Sequence, residues 1–391
     1  MNKALEALTK AVLALPCISI AQDTDIGDIE WNFGYRHHDY KEKPLSKNKS
    51  AGEQLSRYDI DVNQFHIAAD WNDSASISLD YQREVMSGAS PWFTSKNESG
   101  DIVQVMSGAS IFDTRTDVQL KGAYNNQLGR LGAVTALSNE DDYRSLSFGA
   151  ELSKDFNNKL TTISIAGDFS NDDINPTDSE IYPTRPDSES KHSTSFLVSL
   201  SQVINQKSMA QFSIGYIRNS GFLSDPYKLV QIGFELKGDS RPKRKVAKTL
   251  SVRYRYFLTE LDSALHFDYR YYWNDWKVKS HTFDLNYVQP LPWETMLKLG
   301  VRLYNQDSSF FYQHFYEQER VDGYYSTDYR LSEYGVVSYR LDIAKSLNNI
   351  TLHASVMRYQ SGGNKGLSNA NSENPALLDF DLISLGFDYK F

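Results

Sequence analysis

The chain has 391 residues, a net charge of −9 and a negative mean hydropathy, with a single cysteine at Cys17. Those facts exclude a helical membrane protein, because no stretch approaches the ~18 consecutive apolar residues of a spanning helix. The acidic balance argues against a nucleic-acid partner, and one thiol leaves no disulfide, no thiolate metal site and no Cys-x-x-Cys-His haem attachment.

The first 21 residues carry a short charged start, an apolar run and a small-x-small site at Ser19-Ile20-Ala21. They are expected to be a cleaved secretory signal peptide, leaving 22–391 as one domain. From there period-two alternation replaces any helical period. Candidate strands lie near 28–42, 58–71, 75–87, 114–125, 130–139, 144–155, 160–170, 193–205, 208–219, 246–259, 263–274, 279–290, 295–306, 334–346, 349–359 and 381–391. Each approaches the ~9–11 residues of a tilted membrane strand.

Short turns, several of them Asn-rich, alternate with long loops near 43–57, 86–113, 170–191, 220–245, 307–333 and 360–380. The segment 227–236 also alternates like a strand. Counting it gives seventeen and places successive short turns on opposite sides of a membrane. Assigning it to a long loop restores an even count. The expected fold is therefore an all-β, transmembrane, antiparallel up-and-down barrel of about sixteen strands, fourteen and eighteen being the alternatives.

One row of each strand is apolar: Trp31, Phe33 and Tyr35; Phe65, Ile67 and Trp71; Leu297, Leu299, Val301 and Leu303; Ile383, Leu385, Phe387, Tyr389 and Phe391. The other row is polar. Its early half offers Asp70, Asp80, Asp117 and Glu151, and its later half Arg253, Arg255, Arg270, Lys298, Arg302 and Arg340. These are the pore-lining candidates. An acidic wall facing a basic-rich one orients polar solutes, whereas the same charges paired with one another close the lumen.

A hexapeptide occurs twice, as Val85–Ser90 and Val105–Ser110. Folding the connection about Asn97-Glu98 sets Ser87 opposite Gly108 and Ser90 opposite Val105, so the copies are expected to pair as arms of one hairpin. Ser87, Gly88, Ser90, Ser107, Gly108 and Ser110 then allow close backbone approach. Trp92 sits at a tip that either packs into the barrel mouth or stands exposed as an anchor for a partner.

No chemistry competes with this reading. The acidic stretch Asp168–Glu180 lacks the spacing of a calcium loop and reads as a solvated loop. His37 and His38 point to opposite faces of a strand. No nucleophile motif or phosphate-cradling glycine loop occurs, so neither an enzyme nor any metal or cofactor is expected.

Several stretches, "MSGASPWF", "DTRTDVQL", "DYRSLSFGAEL", "SGFLSDPYKLV", "YRYYWNDWKVKSHTFDL" and "STDYRLSEYG", resemble the Gram-negative family called domain of unknown function 3570. The resemblance runs from about Trp31 to the C-terminus. It implies a bacterial outer-membrane barrel in contact with lipid and lipopolysaccharide, and no activity. Its relatives tend to be encoded near flavin transferases and thioredoxin-like proteins, which implies envelope redox biology. Two functions are expected in competition: a porin-like channel for small polar or anionic solutes, or a plugged barrel that scaffolds a periplasmic or surface partner.

Overall fold

A computed structural model describes residues 29–71, 74–107 and 111–391. The expected signal peptide, and Gly108 and Ser110 of the second hexapeptide, lie outside the described residues.

Sixteen antiparallel strands close into one barrel. In ring order they are β1 (Ile29–Glu42), β2 (Asp59–Trp71), β3 (Ala75–Gly88), β6 (Ile111–Asn126), β7 (Gly129–Asn139), β8 (Tyr143–Phe156), β9 (Thr161–Ile174), β10 (Glu189–Asn205), β11 (Ser208–Gly221), β14 (Arg244–Leu258), β15 (Ser263–Asn274), β16 (Lys279–Leu291), β17 (Thr295–Gln306), β18 (Tyr334–Leu347), β19 (Ile350–Gly362) and β20 (Asp379–Lys390). Two hairpins lie outside the ring. They are β4 (Pro91–Lys96) with β5 (Ile102–Met106), and β12 (Leu229–Ile232) with β13 (Glu235–Gly238). The second hairpin is the segment whose parity assigned it to a loop.

Closure joins β1 to β20 in the register Tyr35↔Phe387. Trp31 and Phe391 exchange both backbone hydrogen bonds, at 3.0 Å each. A closed ring leaves no unpaired strand edge. Tight turns gather at one end, where Asn157, Asn158 and Asn348 adopt the positive φ that such turns require. The long loops gather at the other end.

The outward rows expose Phe65, Ile67, Leu120, Phe148, Ile165, Phe212, Leu285, Leu299 and Leu385 around the ring. A continuous apolar belt of this kind is suited to lipid and not to water. The buried residues lie elsewhere, in clusters at the loop end of the barrel.

Candidate functional site: the lumen and its capped mouth

The lumen wall follows from strand register. On the inward row the expected charges lie near the turn end and at mid-height, and half of them form an ion pair, with the next strand or two residues along their own. Arg255 holds Asp268 in a bidentate pair at 2.6 and 3.1 Å. Arg302 meets Asp284 at 2.7 Å and Arg340 meets Asp342 at 2.7 Å. Asp80 lies 2.6 Å from His66 and 3.0 Å from Lys121, and Asp117 lies 2.9 Å from Arg115. Lys298 stands opposite Asp342 in the register, half-buried.

Others have no ion pair among the described residues. Arg253 is exposed, with only a 3.4 Å contact to Gln211, and Arg270, Asp70 and Glu151 are exposed as well. The two sets of charges therefore do not face each other intact, because local pairing takes half of each. The side chains of Arg302 and Lys121 remain 48% and 44% exposed, so the wall is accessible to water.

Higher on the wall the inward row changes character. A hydrogen-bonded belt crosses four adjacent strands: Ser384 Oγ lies 2.6 Å from His38 Nδ1, His38 Nε2 lies 3.0 Å from Gln64, Gln64 donates to Gln82, and Gln82 donates to Glu84 at 2.5 Å. His38 thus points inward while His37, 3.8 Å from Asp61, points outward. Above this belt Tyr40, Ile60, Val62, Met86, Phe380 and Leu382 of the same four strands, with Tyr58 just before β2, form a buried apolar patch on one side of the mouth. Tyr329, from the loop between β17 and β18, packs on that patch beside Ala376 and Leu378.

The loops above form an interlocked cap. Arg57 donates to Glu42 at 2.7 Å and to the Ala376 carbonyl at 3.0 Å. Lys228 donates to the Pro91 carbonyl at 2.7 Å, and Thr94 donates to the His314 carbonyl at 2.6 Å. Ser240 and Tyr325 exchange backbone hydrogen bonds at 3.0 and 2.9 Å. In the middle lie three carboxylates, Asp225, Asp239 and Asp328, and three cations, Lys228, Arg241 and Arg330. Arg241 bonds Asp239 at 2.6 Å and Asp328 at 2.8 Å, and Arg330 bonds Asp225 at 2.6 Å. Burial alone would raise the pKa of Asp225 and of Asp328. The nearby cations Arg330, Lys228 and Arg241 help to hold both carboxyls below the usual carboxylate range.

The repeated hexapeptide belongs to this cap, in a register other than the expected one. Ser87 pairs with Phe112 and Gly88 with Ile111, while Val105 pairs with Phe93. The first copy ends a barrel strand and the second begins on the β4–β5 hairpin, so the copies do not align residue for residue. Gly88 makes the exit, with φ +132°; a Cβ there would lie 2.3 Å from the Arg57 carbonyl oxygen. Ser90 and Ser107 still meet, through Ser107 N to Ser90 O at 2.9 Å and Ser90 N to Ser107 Oγ at 3.0 Å. Trp92 is half-buried, edge-on to Phe93, in the hairpin that packs over the mouth.

The acidic stretch after Asp168 is also more ordered than a solvated loop. β9 continues to Ile174, and Asp172 is buried against Lys191 at 2.9 Å. Sequence reasoning missed the apolar patch and the cap. The available signal was the loop 307–333, which holds Phe310, Phe311, Tyr312, Phe315, Tyr316, Tyr324, Tyr325 and Tyr329, too many aromatic rings for a solvated loop. It also missed three carboxylates at the rim, Asp113, Glu140 and Asp142, whose oxygens lie within 4.8 Å of one another. Burial, only partly countered by Arg115 and reinforced by Asp113 and Asp142, pushes Glu140 up to about 8.

No curated protein matches the sequence. Among solved structures the chain is similar to the siderophore receptor PirA from Pseudomonas aeruginosa, at 10% identity and a TM-score of 0.44, covering 93% of this chain and 62% of that one. It is similar to OprB from Pseudomonas putida at 8% identity and a TM-score of 0.43, covering 93% and 92%. For the outer membrane protein opdK from Pseudomonas aeruginosa the values are 9% and 0.42, covering 94% and 100%. Residues 5–375 match the family model described as protein of unknown function (DUF3570), and the chain belongs to that family.

Proposed function

We propose that this protein is an outer-membrane channel for small polar solutes, anions included, whose outer mouth is closed by its own loops. The turn end faces the periplasm, the loop end faces outward, and lipid and lipopolysaccharide surround the belt. The observation that carries this reading is Tyr329 seated on an inward apolar patch at the loop end, with a water-accessible charged wall elsewhere in the lumen. A scaffold with no solute path has no use for exposed lumenal charges such as Arg253, Arg270 and Glu151. The two arginines, Arg253 and Arg270, without an ion pair among the described residues favour anions.

Ser240 and Tyr325, on different loops, form a backbone-paired couple, so their α-carbons are ~5.5 Å apart and within disulfide reach. The channel reading expects voltage- or pH-induced conductance in planar bilayers, lost when a Ser240→Cys/Tyr325→Cys pair is oxidised and regained on reduction. A barrel that never conducts, even with its cap loosened, refutes it.

The six buried charges of the cap favour a second reading, in which closure is permanent and the barrel holds a periplasmic or surface protein. That reading expects a partner to survive gentle detergent purification, with no conductance in any variant.

A further inference from the structure

The rim between β6, β7 and β8 gathers more negative charge than its surroundings neutralise. Asp113 lies near the loop end of β6, on the inward row. Glu140 and Asp142 occupy the short connection from β7 to β8. The three carboxylates place oxygens within 4.8 Å of one another. Asp142 is more than nine-tenths buried, and its Oδ1 accepts no hydrogen bond among the described residues; Tyr227 donates to the other oxygen, Oδ2. Glu140 is as deeply buried, and among the described residues neither its Oε1 nor Oδ1 of Asp113 accepts one.

The cation at hand is Arg115. Its Nε lies 2.9 Å from Asp117 and 3.5 Å from Glu140, and Glu84 also bears on it. One guanidinium therefore stands among five carboxylates, Glu84, Asp113, Asp117, Glu140 and Asp142. Buried carboxylate oxygens that accept nothing are costly. A cation shared by the three carboxylates, each of which brings one oxygen within 4.8 Å of the others, would satisfy them.

We propose that Asp113, Glu140 and Asp142 form a calcium site at the outer rim. The donors are all hard oxygens, with no histidine or cysteine in the set, which suits calcium or magnesium and not zinc or copper. Oxygens within 4.8 Å of one another can share one calcium ion at ~2.3–2.6 Å. Calcium accepts an irregular set of protein oxygens, whereas magnesium demands near-octahedral geometry and keeps several waters.

The site also has a structural consequence. Tyr227, which donates to Asp142, lies in the same loop as Asp225 and Lys228 of the cap. Asn175 N donates to the Asp142 carbonyl at 2.8 Å. Calcium bound here fastens cap loops to the barrel rim. The assignment does not rest on the channel reading.

The test uses the full chain refolded into detergent free of lipopolysaccharide, whose phosphates themselves bind calcium. After EDTA stripping, calcium binding is measured by isothermal titration and cap stability by protease resistance of the loops. The wild type is expected to bind one calcium per chain and to gain protease resistance. Asp142→Asn and, independently, Asp113→Asn are expected to weaken binding by roughly tenfold or more; Glu151→Gln, far down the wall, leaves it unchanged. In EDTA the two variants should be at least as protease-resistant as the wild type, because each removes an unneutralised charge. No binding at millimolar calcium, equal affinity for magnesium, equal weakening by Glu151→Gln, or variants equally weakened in calcium and in EDTA would each overturn the assignment.

Discussion

Removing Asp328 should open the cap while leaving the barrel intact. Asp328 is buried and accepts from Arg241 Nη2 at 2.8 Å, from Arg330 Nε at 2.9 and 2.8 Å, and from Arg330 N at 3.1 Å. With it the three acids and three cations balance. Without it one buried positive charge is uncompensated, although Arg330 keeps Asp225 and Arg241 keeps Asp239. Breaking a buried pair in this way costs about 3–5 kcal/mol. Since ~1.4 kcal/mol is tenfold in an equilibrium constant, the closed-to-open ratio of the cap should fall by roughly a thousandfold. The reporters are the amides of Ser240 and Tyr325, which hold two loops together. In Asp328→Ala their hydrogen-exchange protection should drop by that factor, while barrel amides such as Leu341 stay protected. An Asp328→Leu/Arg330→Met double variant, which removes a pair together, should lose much less. Unchanged protection of Ser240 and Tyr325 in Asp328→Ala would mean that the charge network does not hold the cap, and the reasoning would fail.

Tyr329→Ala uncovers the apolar patch and should destabilise the closed cap by about 3–5 kcal/mol, read as faster protease cleavage of loop 307–333 and higher resting conductance. The depressed folded-state pKa values of Asp225 and Asp328 fix the sign of a pH effect: their stabilisation is present above the unfolded value near ~3.9 and is lost as pH falls through the lower folded values. Asp239, pushed up by burial against the pull of Arg241, runs the other way, so the measurement belongs in Asp239→Asn. There cap-amide protection should hold from pH 8 to ~5 and fail only below ~4; loss between pH 7 and 5 contradicts the assignment. Gly88→Ala places a Cβ 2.3 Å from the Arg57 carbonyl oxygen at φ +132° and should cost about 1–3 kcal/mol or more from backbone strain, seen as a protease-sensitive β4–β5 hairpin. Arg253→Ala/Arg270→Ala should move the zero-current potential in a salt gradient toward cation preference, and an unmoved potential would remove these two residues from the solute path.

The wall was legible in the sequence because a barrel strand's environment repeats every two residues. Val301 and Arg302 face opposite sides wherever the ring closes, and an even count settled where 227–236 belongs. Charge pairing was less legible, because it depends on side-chain reach as well as register. Arg253 stands directly opposite Asp268, yet the carboxylate is taken by Arg255 one step along the strand. Lys298 stands opposite Asp342, which Arg340 holds. Apart from the alternation of 227–236, the cap left no periodic signal. Its contacts join residues such as Arg57 and Ala376, or Lys228 and Pro91, far apart in the chain. The hexapeptide misled for a related reason. Identical letters suggested self-pairing, but the chain changes from barrel to hairpin inside the first copy, at the one glycine whose backbone permits the exit.

Height along the wall decides what an inward residue must be. On β1 the row passes from His38 to Tyr40, on β2 from Gln64 to Val62, on β3 from Glu84 to Met86 and on β20 from Ser384 to Leu382. Four adjacent strands change from polar to apolar at one level. An apolar inward row in an open pore would face water and gain nothing. Here it is buried, by Tyr329, Ala376 and Leu378 from two loops that are distant in the chain. The strands are therefore patterned for an occupied mouth, and the cap is as much a part of the fold as the ring beneath it. The hydrogen-bonded belt of Ser384, His38, Gln64, Gln82 and Glu84 marks its floor. Elsewhere on the wall the exposed Arg253, Arg270 and Glu151 have no ion pair among the described residues, whereas the carboxylates at the centre of the cap, Asp225, Asp239 and Asp328, are all paired. A solute path that begins under a closed lid explains both halves of that contrast; a solid plug explains only the upper one.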